Sequence, residues 1–143
     1  MPGSQRTSMT ELEPATGGPP GVDEAMIREV VHRFYERARD DALLGPVFSR
    51  HVDDWPAHLA KMVDFWSAVL LRTGRYRGSP PAAHRGIDGL ATAHFDRWLA
   101  RFGETVREVC PPAGAALFLE MANRMGRGMT AVLRLPPPGL VDV

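Results

Sequence analysis

The chain has 143 residues, 17 basic against 17 acidic side chains, one cysteine and 44% hydrophobic residues, the size and composition of one soluble domain. Zero formal net charge with the two signs evenly mixed gives no attraction toward nucleic acid or an anionic membrane, which argues against both as partners. A single Cys110 excludes a disulfide framework and a cysteine-based zinc finger, and no stretch has the roughly 18 uninterrupted apolar residues of a membrane span or the apolar core of a signal peptide, so the expected location is the cytoplasm.

Proline marks the domain limits. Pro2, Pro14, Pro19 and Pro20 precede residue 22, Pro136 to Pro138 follow residue 134, and beyond methionine Leu12 is the one large aliphatic side chain of the first 21 residues. Such a segment buries too little apolar surface to offset its ordering entropy. The expectation is a disordered N-terminal tail over 1–21, a domain over 22–134 and a flexible C-terminal tail over 135–143.

Ile27, Val30, Val31, Phe34, Tyr35 and Ala38 recur at helical spacing and predict a first helix from about Asp23 to Arg39. Asp23 is its cap, and Val22 and Ile27 are placed to staple over it. From Ala42 to Arg50, Gly45-Pro46 breaks any continuous helix, and the segment reads as a turn presenting Phe48. After Asp54-Trp55-Pro56, His58, Met62, Phe65, Trp66 and Val69 form a second stripe with a histidine on its buried face. Phe95, Trp98, Leu99, Phe102, Val106 and Val109 form a third, opened by Thr92 and stopped by Pro111-Pro112. The last helix, about Ala113 to Leu133, carries Phe118, Ala122, Met125, Met129 and Val132 on one side. Gly126 and Gly128 within it each cost about 1 kcal/mol relative to alanine, so its C-terminal half is expected to fray or to be closely approached. No alternating stretch reads as a strand, and the fold class is all-α.

Between the second and third helices, Thr73 to Ala91 is far longer than the roughly 2–8 residues that usually join packed helices. Inside it Ser79-Pro80-Pro81-Ala82-Ala83-His84-Arg85-Gly86 has an N-cap serine, prolines in the first turn and a terminating glycine. It predicts barely more than one helical turn that presents His84. The pairs His51 and Asp54, His58 and Asp54, and His94 and Asp96 match no recognised zinc or carboxylate-metal spacing. One loop histidine, one histidine on an apolar helix face and many buried aromatic and methionine side chains fit a flat apolar cofactor with one axial ligand, a haem. Plainer readings exist for each residue: a solvated loop histidine for His84, a core histidine for His58, a core tyrosine for Tyr35, a core tryptophan for Trp98, and core filler for Met62, Met125 and Met129. His32 and His51 are expected to be exposed, and His94 has no assigned role.

Phe34-Tyr35, Leu44-Gly45-Pro46-Val47-Phe48, Trp55-Pro56-Ala57-His58, Lys61, Met62, Phe65, Trp66, Tyr76, His84 and Trp98, in this order and spacing, resemble the truncated haemoglobins. The absence of an interhelical Gly-Gly pair favours the third group of that family. The resemblance implies a truncated globin, a two-over-two helical sandwich around haem b, with His84 as proximal ligand to iron and Phe48 packed on the haem face. It implies Tyr35, His58 and Trp98 as the distal polar group, and Phe34, Met62, Phe65 and Trp66 as cavity residues. Lys61, the only lysine, and Tyr76 would stand toward the haem propionates. Its ligands would be O2, nitric oxide or peroxide. Hydrogen bonds from Tyr35 and Trp98 to a ligand bearing negative charge, each worth about 1–3 kcal/mol, would slow O2 release and favour nitric oxide oxidation or peroxidase-like turnover over delivery. A reductase would then be a partner, with the chain a monomer or weak homodimer. The alternatives are a module that stores haem or O2 or senses a gas without turnover, and a cofactor-free helical interaction domain.

Overall fold

Residues 21–143 are described in the computed structural model of the chain. The predicted N-terminal tail, but for Gly21, lies outside the described residues. Six helices follow in chain order: α1 Glu24–Asp40, α2 Gly45–His51, α3 Trp55–Leu71, α4 Pro80–Arg85, α5 Thr92–Val109 and α6 Pro112–Val132. There is no strand among the described residues, so the fold is all-α as the periodicity requires.

The predicted caps of α1 and α3 are present. Asp23 accepts from the Met26 amide at 2.8 Å and Asp54 from the Ala57 amide at 3.1 Å, each satisfying a first-turn donor that the helix leaves open. The stripe of α1 is buried throughout, with Ile27, Val30, Val31, Phe34, Tyr35 and Ala38 all inside. α1 packs on α3 and α5, and α5 on α6. The pairs α1/α3 and α5/α6 thus make two layers whose shared core holds Phe34, Trp66, Leu99, Phe102 and Phe118.

Three expectations change. The segment expected as a turn is the helix α2, because Pro46 occupies its first turn, where its missing N–H is no loss. Gly45 is required there by contact: a Cβ would lie 2.5 Å from the Arg39 carbonyl oxygen. Thr92 does not cap α5. Its hydroxyl donates to the Pro136 carbonyl at 2.7 Å, Ala91 is the capping position, and His94 Nδ1 accepts the Ala91 amide at 3.0 Å, the reach-back half of a capping box. The segment 135–143, expected to be flexible, is hydrogen-bonded along α5 and α6. Asn123 and Val141 exchange two bonds, Nδ2 to the Val141 carbonyl at 2.8 Å and the Val141 amide to Oδ1 at 3.0 Å. Gly139 N–H donates to Asp96 at 2.7 Å, and Arg107 to the Asp142 carbonyl. For α6 the close-approach alternative holds, since a Cβ on Gly126 would meet Leu99 at 3.1 Å and Pro138 at 3.4 Å.

One buried carboxylate was not foreseen. Asp41, its side chain 2% exposed, ends α1. One carboxylate oxygen accepts the Leu43 and Leu44 amides at 2.9 and 3.0 Å, and the other accepts Arg97 at 2.9 Å and Arg101 at 3.1 Å, both from α5. Burial pushes its pKa up, but the Leu44 amide, Arg97, the Leu43 amide and Arg101 outweigh this and hold the carboxyl well below the usual carboxylate range.

Asp41→Ala is expected to lower stability by about 2–3 kcal/mol in urea unfolding, less than a fully buried pair because both arginines are partly solvated. A depressed folded pKa contributes stability above the unfolded value near 3.8, lost as pH falls through the folded value. The acid limb of the wild-type stability curve is therefore expected to flatten in the variant.

Candidate functional site

The α1–α2–α3 corner gathers four aromatic rings. Tyr35 meets His58 edge-on at 5.2 Å and 89°, Phe48 at 5.3 Å and 78°, and Trp55 at 5.9 Å. His58 lies 5.5 Å from Trp55 and 6.4 Å from Phe48. Three helices bring these rings together: Tyr35 is late in α1, Phe48 stands on α2, and Trp55 and His58 are one turn apart on α3, where residues three apart share a face.

Burial sets the protonation of this cluster. It pushes the Tyr35 phenol far above its ordinary value, so the hydroxyl keeps its proton as a donor. It lowers the His58 pKa from the ordinary 6.5, and the Lys61 charge one turn along α3 lowers it further. His58 is therefore neutral at pH 7. Its Nε2 is buried without a hydrogen-bond partner, a costly state that a hydrogen-bonding ligand would relieve.

Trp98, on α5, is half-buried, edge-on to Phe34 at 5.7 Å and stacked on Phe102 at 4.8 Å and 7°. Of the residues expected around the cavity, Met62, Phe65 and Phe48 are half-buried and pack on the core edge. Phe34 and Trp66 are instead core rings, 1% and 3% exposed, enclosed by Trp98, Phe102 and Phe118. They shape the site by supporting other rings. Lys61 is exposed, and Tyr76 sits edge-on over Phe65 at 5.1 Å.

His84 stands on the platform its sequence predicts. Ser79 accepts the Ala82 amide at 3.4 Å, Pro80 and Pro81 open α4, and Gly86 ends it. The His84 Nδ1 is 2.7 Å from the Pro80 carbonyl oxygen and therefore carries the hydrogen, which leaves Nε2 as the nitrogen with a free lone pair. That is the arrangement of a metal-binding histidine whose second nitrogen is fixed by backbone. The ring lies 6.3 Å from Phe95.

An imidazole with its tautomer fixed, half-buried aromatic and methionine side chains on the core edge and a buried, partnerless nitrogen fit a haem carrying a small ligand. Trp55 belongs to the cluster although no role was expected of it; its spacing to His58 is the signal. His94, the unassigned histidine, is a helix cap. His32 and His51 are exposed as expected. Cys110 is buried, and burial pushes its thiol up to about 11, which leaves it unreactive at neutral pH.

Comparison with known proteins identifies the family and the fold. Residues 17–130 match the family model of the bacterial-like globins. The group 3 truncated haemoglobin of Campylobacter jejuni is 32% identical over 92 residues, covering 62% of this chain and 72% of the relative. The crystal structure of the group III truncated haemoglobin from Campylobacter jejuni superposes with a TM-score of 0.76 at 28% identity, over 81% of this chain and 94% of that one. The chain belongs to the bacterial-like globins, haem proteins that bind diatomic gases such as O2. Within them it is a truncated haemoglobin of the third group, with the two-over-two fold expected from its sequence. Among the described residues no helix is long and apolar enough to cross a membrane.

His94→Ala is expected to cost about 1 kcal/mol of stability through the lost cap while leaving the haem absorption bands in place. A displaced Soret band in that variant would put His94 in the pocket instead.

Proposed function

We propose that the chain holds haem b through His84 and uses Tyr35, His58 and Trp98 to retain and polarise O2 or peroxide for turnover. The observation that carries this reading is the His58 Nε2, buried and partnerless inside the Tyr35, Phe48 and Trp55 rings. When bound, haem b supplies an iron with one position for a diatomic gas or peroxide.

His84 would hold that iron through Nε2, its ring direction set by the Nδ1 bond to Pro80. Phe48, Met62 and Phe65 would cover the macrocycle, with Lys61 and Tyr76 toward its propionates. Tyr35 keeps its proton because burial disfavours phenolate, and the indole N–H of Trp98 can only donate. His58, neutral in its aromatic cage, can donate or accept and so can pass a proton at Nε2. Two donors to a ligand bearing negative charge, each worth about 1–3 kcal/mol, slow its release more than tenfold. Slow release suits nitric oxide oxidation or peroxidase-like turnover, with electrons from a reductase, better than O2 delivery.

In stopped-flow measurements Tyr35→Phe is expected to speed O2 dissociation at least tenfold; a fast wild-type rate that this change leaves alone would sink the reading and favour a simple binding or sensing module. His84→Ala is expected to shift or abolish the Soret band. The depressed His58 pKa gives a pH signature of its own. As pH falls below about 6.5, the unfolded chain takes up its proton before the folded one, so stability declines. His58→Leu is expected to shrink that decline in thermal unfolding.

A further inference from the structure

A continuous run of aromatic rings crosses the core from Trp98 and ends on the loop before α4. Trp98 lies on Phe102 at 4.8 Å with planes 7° apart, and Trp66 lies on the same ring at 5.0 Å and 14°. These are the two stacked pairs among the described residues; every other ring pair is edge-on or tilted. Trp66 meets Phe65 edge-on at 5.5 Å, and Phe65 meets Tyr76 at 5.1 Å.

Indole and phenol give up an electron far more readily than a phenyl ring. Trp98, Trp66 and Tyr76 are therefore stations, and Phe102 and Phe65 are single-ring bridges between them. The first station, which the proposed function sets beside the bound ligand, is half-buried, the second is sealed from water in the core, and the last is half-buried on the loop. The last ring lies over Gly78, next to a tied arginine. A Cβ on Gly78 would lie 2.5 Å from the Tyr76 hydroxyl, and neighbouring Arg75 is tied to Glu24 at 2.6 Å and to Asp64 at 3.0 Å.

We propose that this run is an oxidation relay that carries a one-electron vacancy from Trp98 through Trp66 to Tyr76, where small phenolic donors outside the protein refill it. The inference rests on the peroxide reading above. Hydrogen peroxide is the oxidant and takes up two electrons and two protons to give two waters, so the relay fires twice per peroxide. Each time Trp98 gives up an electron, Trp66 replaces it, and Tyr76 replaces that one while releasing its hydroxyl proton to water. An external phenol then returns an electron and a proton to Tyr76 and leaves as a phenoxyl radical. The balance is one peroxide and two phenols to two waters and two phenoxyl radicals.

The test treats the haem-loaded full chain with hydrogen peroxide and a nitroso spin trap, then reads the adducts by peptide mass spectrometry and the radical by electron paramagnetic resonance. Wild type is expected to carry the adduct on Tyr76 and to lose it when a phenolic donor is added. In Phe102→Leu the ratio of Tyr76 to Trp98 adduct is expected to fall at least tenfold, a ratio independent of how much haem is bound. Phe65→Leu, at a half-buried position, reads the second bridge by the same ratio if the core variant does not fold. Tyr76→Phe is expected to convert a tyrosyl signal to a tryptophanyl one. An unlabelled Tyr76 in wild type, label on Tyr35 in its place, or an unchanged ratio in both bridge variants overturns the relay. If the Soret band and peroxide consumption are present in that case, the relay alone falls; if either is missing, the haem and peroxide reading falls with it.

Discussion

The architecture depends on one buried carboxylate. Asp41 closes the end of α1 by accepting the Leu43 and Leu44 amides and draws α5 against that corner through Arg97 and Arg101. Tyr35 lies within two turns upstream of it, Phe48 within two turns downstream, and Trp98 is next to Arg97 on the helix it holds. A hydrophobic core fixes how closely helices approach, but its contacts are adaptable. Four directed hydrogen bonds on one group fix the register. Arg37 adds a second tie between the same helices, two bonds to Glu108 at 2.6 and 3.1 Å, but this pair is solvated and contributes less.

With the corner fixed, the site's polar groups are held among aromatic rings and kept in their uncharged forms. The same burial raises the Tyr35 pKa and lowers that of His58, so neither group carries charge at neutral pH. A charged imidazole there would need a counter-ion, and the charge near it is Lys61, of the wrong sign. Uncharged donors in poorly solvated surroundings act strongly on a ligand that itself bears charge and weakly on one that does not. On the function proposed above, this would discriminate polar bound ligands such as O2 from nonpolar ones.

How far the sequence reveals all this depends on whether each signal is local. The stripes of α1, α3 and α5 place their helices because helical spacing is itself the cause of burial, and the Asp54 and Ser79 caps follow from adjacent residues alone. The His84 platform was legible for the same reason. What escaped was set by distant partners. Asp41 in a run of two aspartates has no local mark of burial, since its partners lie 56 and 60 residues away. Thr92 looks like a cap until Pro136 takes its hydroxyl, and the proline-rich end looks like a free tail until Asn123 and Asp96 supply its hydrogen bonds. Gly45-Pro46 misled differently: the pair both breaks and starts helices, and the close fold of Gly45 against the end of α1, where a Cβ would lie 2.5 Å from the Arg39 carbonyl oxygen, is not marked in the pair itself.

The loop that carries His84 is held with little packing of its own. α4 has no buried residue, so packing alone does not hold it. Its position comes from its two ends and its own chemistry. Upstream, Arg72 takes a left-handed conformation at φ 60°, Ser67 and Thr73 share a hydrogen bond at 2.9 Å, and Arg75 is tied to α1 and α3. Downstream, the His94 cap and the Thr92 bond to Pro136 fix where α5 begins. Between these anchors two prolines restrict the unfolded chain and the serine cap closes the first turn. The docked C-terminal segment therefore acts on His84 from a distance, by holding the start of α5, whose Phe95 lies beside the His84 ring. Two separate constraints result: Asp41 for the corner of α1, α2 and α5, and the chain end for His84.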